Sequence, residues 1–358
     1  MDEEKKLPEQ PEQPEKPAAE AAPAPKPKPK KKKPKKDPRA KLYKPDHLLI
    51  MSSSPHLSTV DSVSRIMWTV VIAMLPALLM GVYYFGWAAI KMAVTCILAA
   101  VITEAAINRL KGERFTIKDG SAVITGLLLA MTLPPSFELS GAVIGSVFAI
   151  AVGKHIFGGL GYNIFNPALL GRAFLQASFP VAITTWTNPR TVDAVSTATP
   201  LGAFKFEQIG TALTDLLYGN TGGCLGETSA IVILAGGLFL IIKKYADWRI
   251  PVSYLGTVFV FGGITWLIDP VAYPTPMFHL FSGGLMLGAF FMATDMVTSP
   301  ITSKGSWIFG IGAGILLVII RLWGGLPEGV MYSILLMNAV TPLINRYTRP
   351  KYFGEPRA

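Results

Sequence analysis

Apolar positions along this chain gather into long unbroken runs instead of alternating with polar ones, and polar residues collect in the gaps between runs. Ten runs are long enough, or nearly so, to cross a lipid bilayer: 66–86, 91–108, 121–134, 140–155, 164–180, 228–243, 252–269, 278–296, 306–322 and 328–345. Several are short and rich in Gly or Pro, notably the third and the eighth. In hydrocarbon every backbone polar group needs a partner within the protein, so runs of this length predict helices. The expected fold is an all-α integral membrane protein with about ten transmembrane helices, some of them short and broken.

The charges between the runs are sorted by side. Alternate gaps carry Arg109, Lys111, Arg114 and Lys118, then Lys154, then Lys243, Lys244 and Arg249, then Lys304, and the C-terminal end adds Arg346, Arg349 and Lys351. The other gaps are nearly bare: 135–139 and 270–277 hold no Lys or Arg, and 181–227 holds only Arg190 and Lys205. Cationic loops stay in the cytoplasm, so both termini are expected inside and the 181–227 loop outside.

The two halves echo each other. Ile156-Phe157-Gly158-Gly159-Leu160 returns as Leu322-Trp323-Gly324-Gly325-Leu326 at an offset of 166. At the same offset Thr132-Leu133-Pro134 falls on Thr298-Ser299-Pro300, and Ala173 falls on Ala339. A shared offset in separate blocks points to duplication. With five spans in each half, the second half enters the membrane inverted. The expected organisation is a tail (1–45), a first repeat (46–180), an extracytoplasmic loop (181–227), a second repeat (228–345) and a C-terminal tail (346–358).

Composition adds to this picture mainly at the N-terminus. The chain of 358 residues is 51% hydrophobic and 16% charged, and its formal net charge of +10 owes much to the run KPKPKKKKPKK at 26–36. Residues 1–45 almost lack large apolar side chains and are expected to be disordered. Beside membrane spans, such a tail suits anionic lipid better than nucleic acid. No apolar h-region follows its first charges, so no secretory signal is expected there. Cys96 and Cys224 stand far apart without Cys or His at ligand spacing, which argues against a metal or iron–sulfur site within this chain alone.

Three places carry candidate chemistry. The loop stretch DAVSTATPL (193–201) sets hydroxyls behind an aspartate, which by itself is ordinary loop chemistry. In GKHIFGGLGYNIFNP (153–167), Gly158 and Gly159 permit close backbone approach, and Asn163 and Asn166 stand three apart. That pair reads either as carboxamides for the polar edge of a ring system or as a helix cap after a packed turn. Glu104, Arg172, Asp295 and Arg321 are ionisable groups in or near spans, where each is expensive. Asp295, before an expected helix break at ATDMVTSP (293–300), reads equally as a cation ligand on an ion path or as an interfacial cap. No phosphate-binding loop, zinc helix or nucleophile elbow occurs.

Taken in order, Ser54-Pro55-His56, Asp119-Gly120-Ser121-Ala122-Val123-Ile124-Thr125-Gly126, Leu133-Pro134-Pro135, GKHIFGGLGYNIFNPALLGRA, DAVSTATPL and ATDMVTSP resemble the family of D subunits of Rnf ion-translocating oxidoreductases. They are similar, more distantly, to B subunits of the sodium-pumping NADH:quinone oxidoreductase. The resemblance spans about residues 46–348. It implies that Thr199 accepts FMN through a phosphoester, within a pattern matched by Asp193, Ser196, Thr197, Ala198 and Thr199, installed by an extracytoplasmic flavin transferase. Thr197 stands where the pattern often has Gly and sets a second hydroxyl beside the acceptor. The resemblance also implies a non-covalent riboflavin contacted by Asn163 and Asn166. It implies a prokaryotic inner-membrane complex whose other Rnf subunits carry the iron–sulfur clusters, the NADH site and a second covalent flavin. The same helical plan without redox chemistry would suit a small-solute channel resembling urea or ammonium channels, or a structural anchor.

Overall fold

The computed structural model describes residues 61–112, 116–187 and 198–350, and among them it is built from helices with no strand. Helices α1 (Val63–Phe85), α2 (Trp87–Lys111), α3 (Ser121–Thr132), α4 (Leu139–Ile150) and α5 (Pro167–Ser178) form the first group. The connecting segment folds into three short helices, α6 (Pro180–Thr184), α7 (Pro200–Glu207) and α8 (Leu213–Tyr218). The second group holds α9 (Ala230–Ile242), α10 (Arg249–Ile268), α11 (Pro276–Phe281), α12 (Leu285–Leu287), α13 (Ser303–Trp323) and α14 (Val330–Thr348). Each of the ten expected spans falls on helix. The 181–227 loop departs from expectation in holding helices, and local chemistry explains two of them: prolines open α6 and α7 at N1, where a missing N–H costs nothing.

Four described helices, α1, α2, α10 and α13, are long and apolar enough to cross a membrane by length and composition. The expected short spans are short in fact. α3 has 12 residues, about 18 Å of helix, against about 30 Å of hydrocarbon. Its chain runs on as non-helical backbone through Leu133, which is buried, and the Leu133 carbonyl accepts the Leu225 N–H at 3.2 Å. Irregular backbone at membrane depth survives where protein supplies such a partner. The eighth expected span is broken: α11 ends at Phe281, and α12 leads into a π-helical turn, Gly288–Met292.

Several helix pairings of the first group recur in the second. α1 packs on α3, α2 on α3 and α4, and α4 on α5; correspondingly α9 packs on α12, α10 on α11 and α13, and α13 on α14. The contacts α1 with α9 and α5 with α14 join the two groups. These pairings recur between the two groups, whereas the α1–α2 and α3–α5 contacts of the first are not matched to the same extent in the second.

Close packing depends on small residues where helices cross without a hydrophobic drive from water. A Cβ at Gly126 of α3 would stand 2.7 Å from Cys96 O and from Ile97 Cα on α2. Those atoms are backbone and cannot swing aside. Gly126→Leu is expected to destabilise the fold by about 3 kcal/mol or more through overpacking. Thermal unfolding of the purified variant in detergent checks this, and an unchanged midpoint would refute it.

Candidate functional site

Helix α5 organises the centre of the molecule because cavities lie at both of its ends. Asn166 is its N-cap: the side-chain Oδ1 accepts the Ala168 N–H at 3.0 Å, and Pro167 follows at N1. The Asn166 Nδ2 donates to Met292 O at 3.2 Å, tying the start of α5 to the π-turn of the second group. The capping reading of this residue is therefore realised, and the same residue also walls a cavity.

That cavity encloses about 810 Å³, partly open to solvent, and brings together Asn163, Asn166, Ser121, Lys154, Tyr245 and Asp295. Asn163 is buried and donates to Phe165 O at 3.1 Å. Gly158 and Gly159, with φ of 115° and 98°, shape the turn before it, and Leu160 is the residue of that turn that reaches the wall. Asp295 accepts from the Thr298 hydroxyl at 3.1 Å and the Val297 N–H at 3.4 Å, the cap arrangement, and faces the cavity as well. A π-helical turn from each group reaches this wall, Ala151–His155 through Lys154 and Gly288–Met292 through Phe291. Each turn is closed by a bond five residues back, Ile156 N–H to Ala151 O at 3.1 Å and Ala293 N–H to Gly288 O at 2.7 Å. Such turns widen a helix and re-aim its side chains, which is why they recur at functional sites.

Lys154 corrects the sequence-based reading, which placed it among the loop charges. It is buried in an ion pair with Glu104, Nζ to Oε2 at 2.7 Å, and donates to Ser121 Oγ at 2.6 Å. The Glu104 Oε1 accepts from Thr116 Oγ1 at 2.6 Å, and Thr116 in turn accepts from Asn108 at 2.9 Å. A carboxylate in mid-helix needs a cation; Glu104 was the signal that a neighbouring lysine would leave the loop and come inside.

At the other end of α5, about 14–18 Å along its axis, a second cavity of about 810 Å³ holds Thr199, Ala198, Arg172, Gln176, Trp186 and Glu328 among its walls. Thr199 is the N-cap of α7. Its Oγ1 accepts the Gly202 N–H at 3.1 Å, and its carbonyl accepts the Ala203 N–H at 2.8 Å. The hydroxyl thus sits against first-turn N–H groups, where an anion is favoured. Arg172 on α5 pairs with Glu328 at 2.8 Å in the same wall. Ala198 is described beside Thr199; Asp193, Ser196 and Thr197 lie outside the described residues.

Between the ends, a smaller cavity is bounded by Cys224, Glu227, Arg172, Gln176 and Glu328. Cys224 and Glu227 lie in the segment between α8 and α9, whose place beside α5 is set by tertiary packing; the sequence reading weighed Cys224 only as a metal ligand and passed over Glu227. Both cysteines are free and buried.

Lys205, on the α7 face away from Thr199, points its ammonium at three carbonyls, Gly324 O at 2.5 Å, Arg321 O at 2.8 Å and Leu326 O at 3.3 Å. Burial lowers its pKa from the ordinary lysine range. Arg321 is buried, with Nη1 donating to His279 O at 2.6 Å and Nη2 to Ser282 O at 2.9 Å. Of the four ionisable residues singled out in the sequence, Asp295 lines the Asn163 cavity, Arg172 the Thr199 cavity, Glu104 backs Lys154, and Arg321 stands apart from both.

Comparison with known proteins identifies the company this chain keeps. The model of the NQR2, RnfD, RnfE family matches residues 50–354. The D subunit of the proton-translocating ferredoxin:NAD(+) oxidoreductase complex of Clostridium ljungdahlii is 50% identical over 327 residues, covering 87% of this chain and 98% of the relative. The D subunit of the Na(+)-translocating ferredoxin:NAD(+) oxidoreductase complex of Acetobacterium woodii is 48% identical over 310 residues, covering 86% and 95%. Its counterpart in the ion-translocating oxidoreductase complex of Stutzerimonas stutzeri is 42% identical over 329 residues, covering 82% and 93%.

Proposed function

The chain belongs to the NQR2, RnfD, RnfE family, and from that premise we propose that it is the membrane electron-relay subunit of an ion-translocating ferredoxin:NAD oxidoreductase complex, carrying FMN on Thr199 and a non-covalent riboflavin beside Asn163 and Asn166. The observation that carries this reading is the placement of Thr199. Its hydroxyl caps α7 at the wall of a cavity of about 810 Å³, so a phosphoester there would meet the N–H groups of the first turn. Arg172 supplies a cation in the same wall.

The residues present fit a flavin at both places. Bound there, an isoalloxazine ring supplies one- and two-electron transfer. The protein's part is to hold each ring, to exclude water and to set the local charge. At the Asn163 cavity, carboxamides and hydroxyls suit a polar ring edge, while Leu128, Phe291 and Met67 suit its faces. Lys154 would bring a positive charge to that wall, held in place by Glu104. The two sites lie at opposite ends of α5, an arrangement suited to passing electrons from one face of the membrane to the other. We place the Thr199 loop outside, both termini in the cytoplasm, and Asp295 near the ion path. Relatives of nearly equal identity are named for protons and for Na⁺, so overall likeness does not distinguish the coupled ion. The iron–sulfur and NADH-binding partners, the second flavinylated subunit, the flavin transferase and anionic lipid at the basic tail belong to the same reading.

The test is direct. The full chain is co-expressed with its flavin transferase, denatured and run on a gel under ultraviolet light. A fluorescent band is expected; a dark band despite an active transferase would remove the covalent claim and favour the channel reading. For the non-covalent site, Asn163→Leu is expected to lower the flavin retained after purification and released by denaturation, by about tenfold for one lost polar contact in a buried site. Retention equal to wild type would exclude Asn163 as a ligand.

A further inference from the structure

A third polar cavity, of about 520 Å³, lies on the far side of α7 from Thr199, where α10 and α13 end. Two cations border it, Lys205 and Arg321. Neither takes part in any of the ion pairs found among the described residues, which are Lys154–Glu104, Arg172–Glu328 and Arg249–Asp247. Both spend hydrogen bonds on carbonyls near helix ends, a common structural use of a cation. That use leaves donors over. The Arg321 Nε is buried without a partner, and both ring nitrogens of His279, which is 1% exposed, find none among the described residues. Buried polar groups are normally satisfied, and the two residues that carry these three atoms both line the cavity.

We propose that this cavity binds the phosphate group of an anionic phospholipid from the leaflet on the Thr199 side. The charge calls for an anion, since two cations here lack a carboxylate within ion-pair distance among the described residues. The Arg321 Nε–H and one imidazole N–H are donors of the kind that phosphate oxygens accept. Its depth calls for a lipid: the cavity sits where two spanning helices stop, the level at which headgroups lie. Trp323 marks that level, with Tyr273 at 6.5 Å and Phe261 at 6.3 Å between ring centroids, an aromatic group of the kind found at membrane interfaces. Phe204, Phe278 and Leu322 offer apolar wall beside the charged groups for the glycerol and upper acyl carbons. A bound phosphate would also offset the burial that lowers the Lys205 pKa.

The experiment uses the purified full chain in detergent and follows its thermal midpoint during titration with dioleoyl phosphatidylglycerol, dioleoyl phosphatidylcholine or inorganic phosphate. Phosphatidylglycerol is expected to raise the midpoint where phosphatidylcholine does not. His279→Leu, which keeps the backbone carbonyl that Arg321 uses, is expected to weaken the phosphatidylglycerol effect about tenfold in concentration, and Arg321→Gln to abolish it. Should Arg321→Gln fail to fold, His279→Leu decides alone. An equal response to inorganic phosphate, lost in the same variants, would keep the anion site and remove the lipid as its source. No response to either anion, or a response unchanged in the variants, overturns the proposal. None of these readouts depends on flavin, so they stand or fall separately from the redox reading.

Discussion

Thr199→Ala, co-expressed with the flavin transferase, is expected to give a folded chain whose denatured band carries no flavin fluorescence. The change removes the only atom of that side chain able to form a phosphoester. It also removes an N-cap, because Oγ1 accepts the Gly202 N–H, at a cost of about 1 kcal/mol. A loss of that size leaves the fold standing, so darkness would report chemistry and not misfolding. Thr199→Ser keeps both hydroxyl and cap and is expected to stay folded, with any remaining fluorescence measuring the transferase's tolerance. Thr197→Ala is expected to stay bright. If Thr197→Ala went dark while Thr199→Ala stayed bright, the acceptor would move two residues and the rest of the reading would survive. If both single variants stayed bright, neither threonine would be the sole acceptor and the assignment to Thr199 would be wrong.

Glu104→Ala is expected to be among the most damaging single changes in the chain. It leaves the Lys154 ammonium, 3% exposed as a residue, without the carboxylate 2.7 Å away. Removing one partner of a buried pair costs about 3–5 kcal/mol, because the remaining charge stays desolvated. Thr116 loses its acceptor as well. The control is the double replacement Glu104→Leu with Lys154→Met, which removes both charges and is expected to recover most of the stability. Unfolding midpoints of the three proteins in one detergent check this. A single variant as stable as wild type would show that the pair contributes little. A double variant no better than the single would show that lost packing, not the unpaired charge, is the cause.

Much of the helical plan was readable in advance. Runs such as 66–86 and 306–322 are apolar almost throughout, Arg321 aside, and lipid leaves a helix as their only outcome, so α1 and α13 appear where hydropathy put them. The shortness of α3 was readable too, because Leu133-Pro134-Pro135 cannot continue a helix. The repeat was visible only as faint echoes, yet the pairing of α2 with α4 returns as α10 with α13. The short helices of the 181–227 segment went unread because α7 and α8 are of 8 and 6 residues, too brief for a periodic signal.

The candidate sites divide along the same line. The sequence, read with its family resemblance, marked the candidates: Thr199 within DAVSTATPL, Asn163 and Asn166 before Pro167, and ionisable groups at positions 104, 172, 295 and 321. Those are properties of residue type and local order, which a linear chain displays openly. Tertiary structure alone decided which of them meet. It brought Lys154 out of the loops to Glu104, turned Asp295 into the cavity of Asn163, set Glu328 against Arg172 across 156 residues, and left Arg321 facing Lys205 with donors to spare. Such pairings follow from how the two groups of helices close on each other, and in a low-dielectric interior a buried charge must take whatever partner that closure supplies.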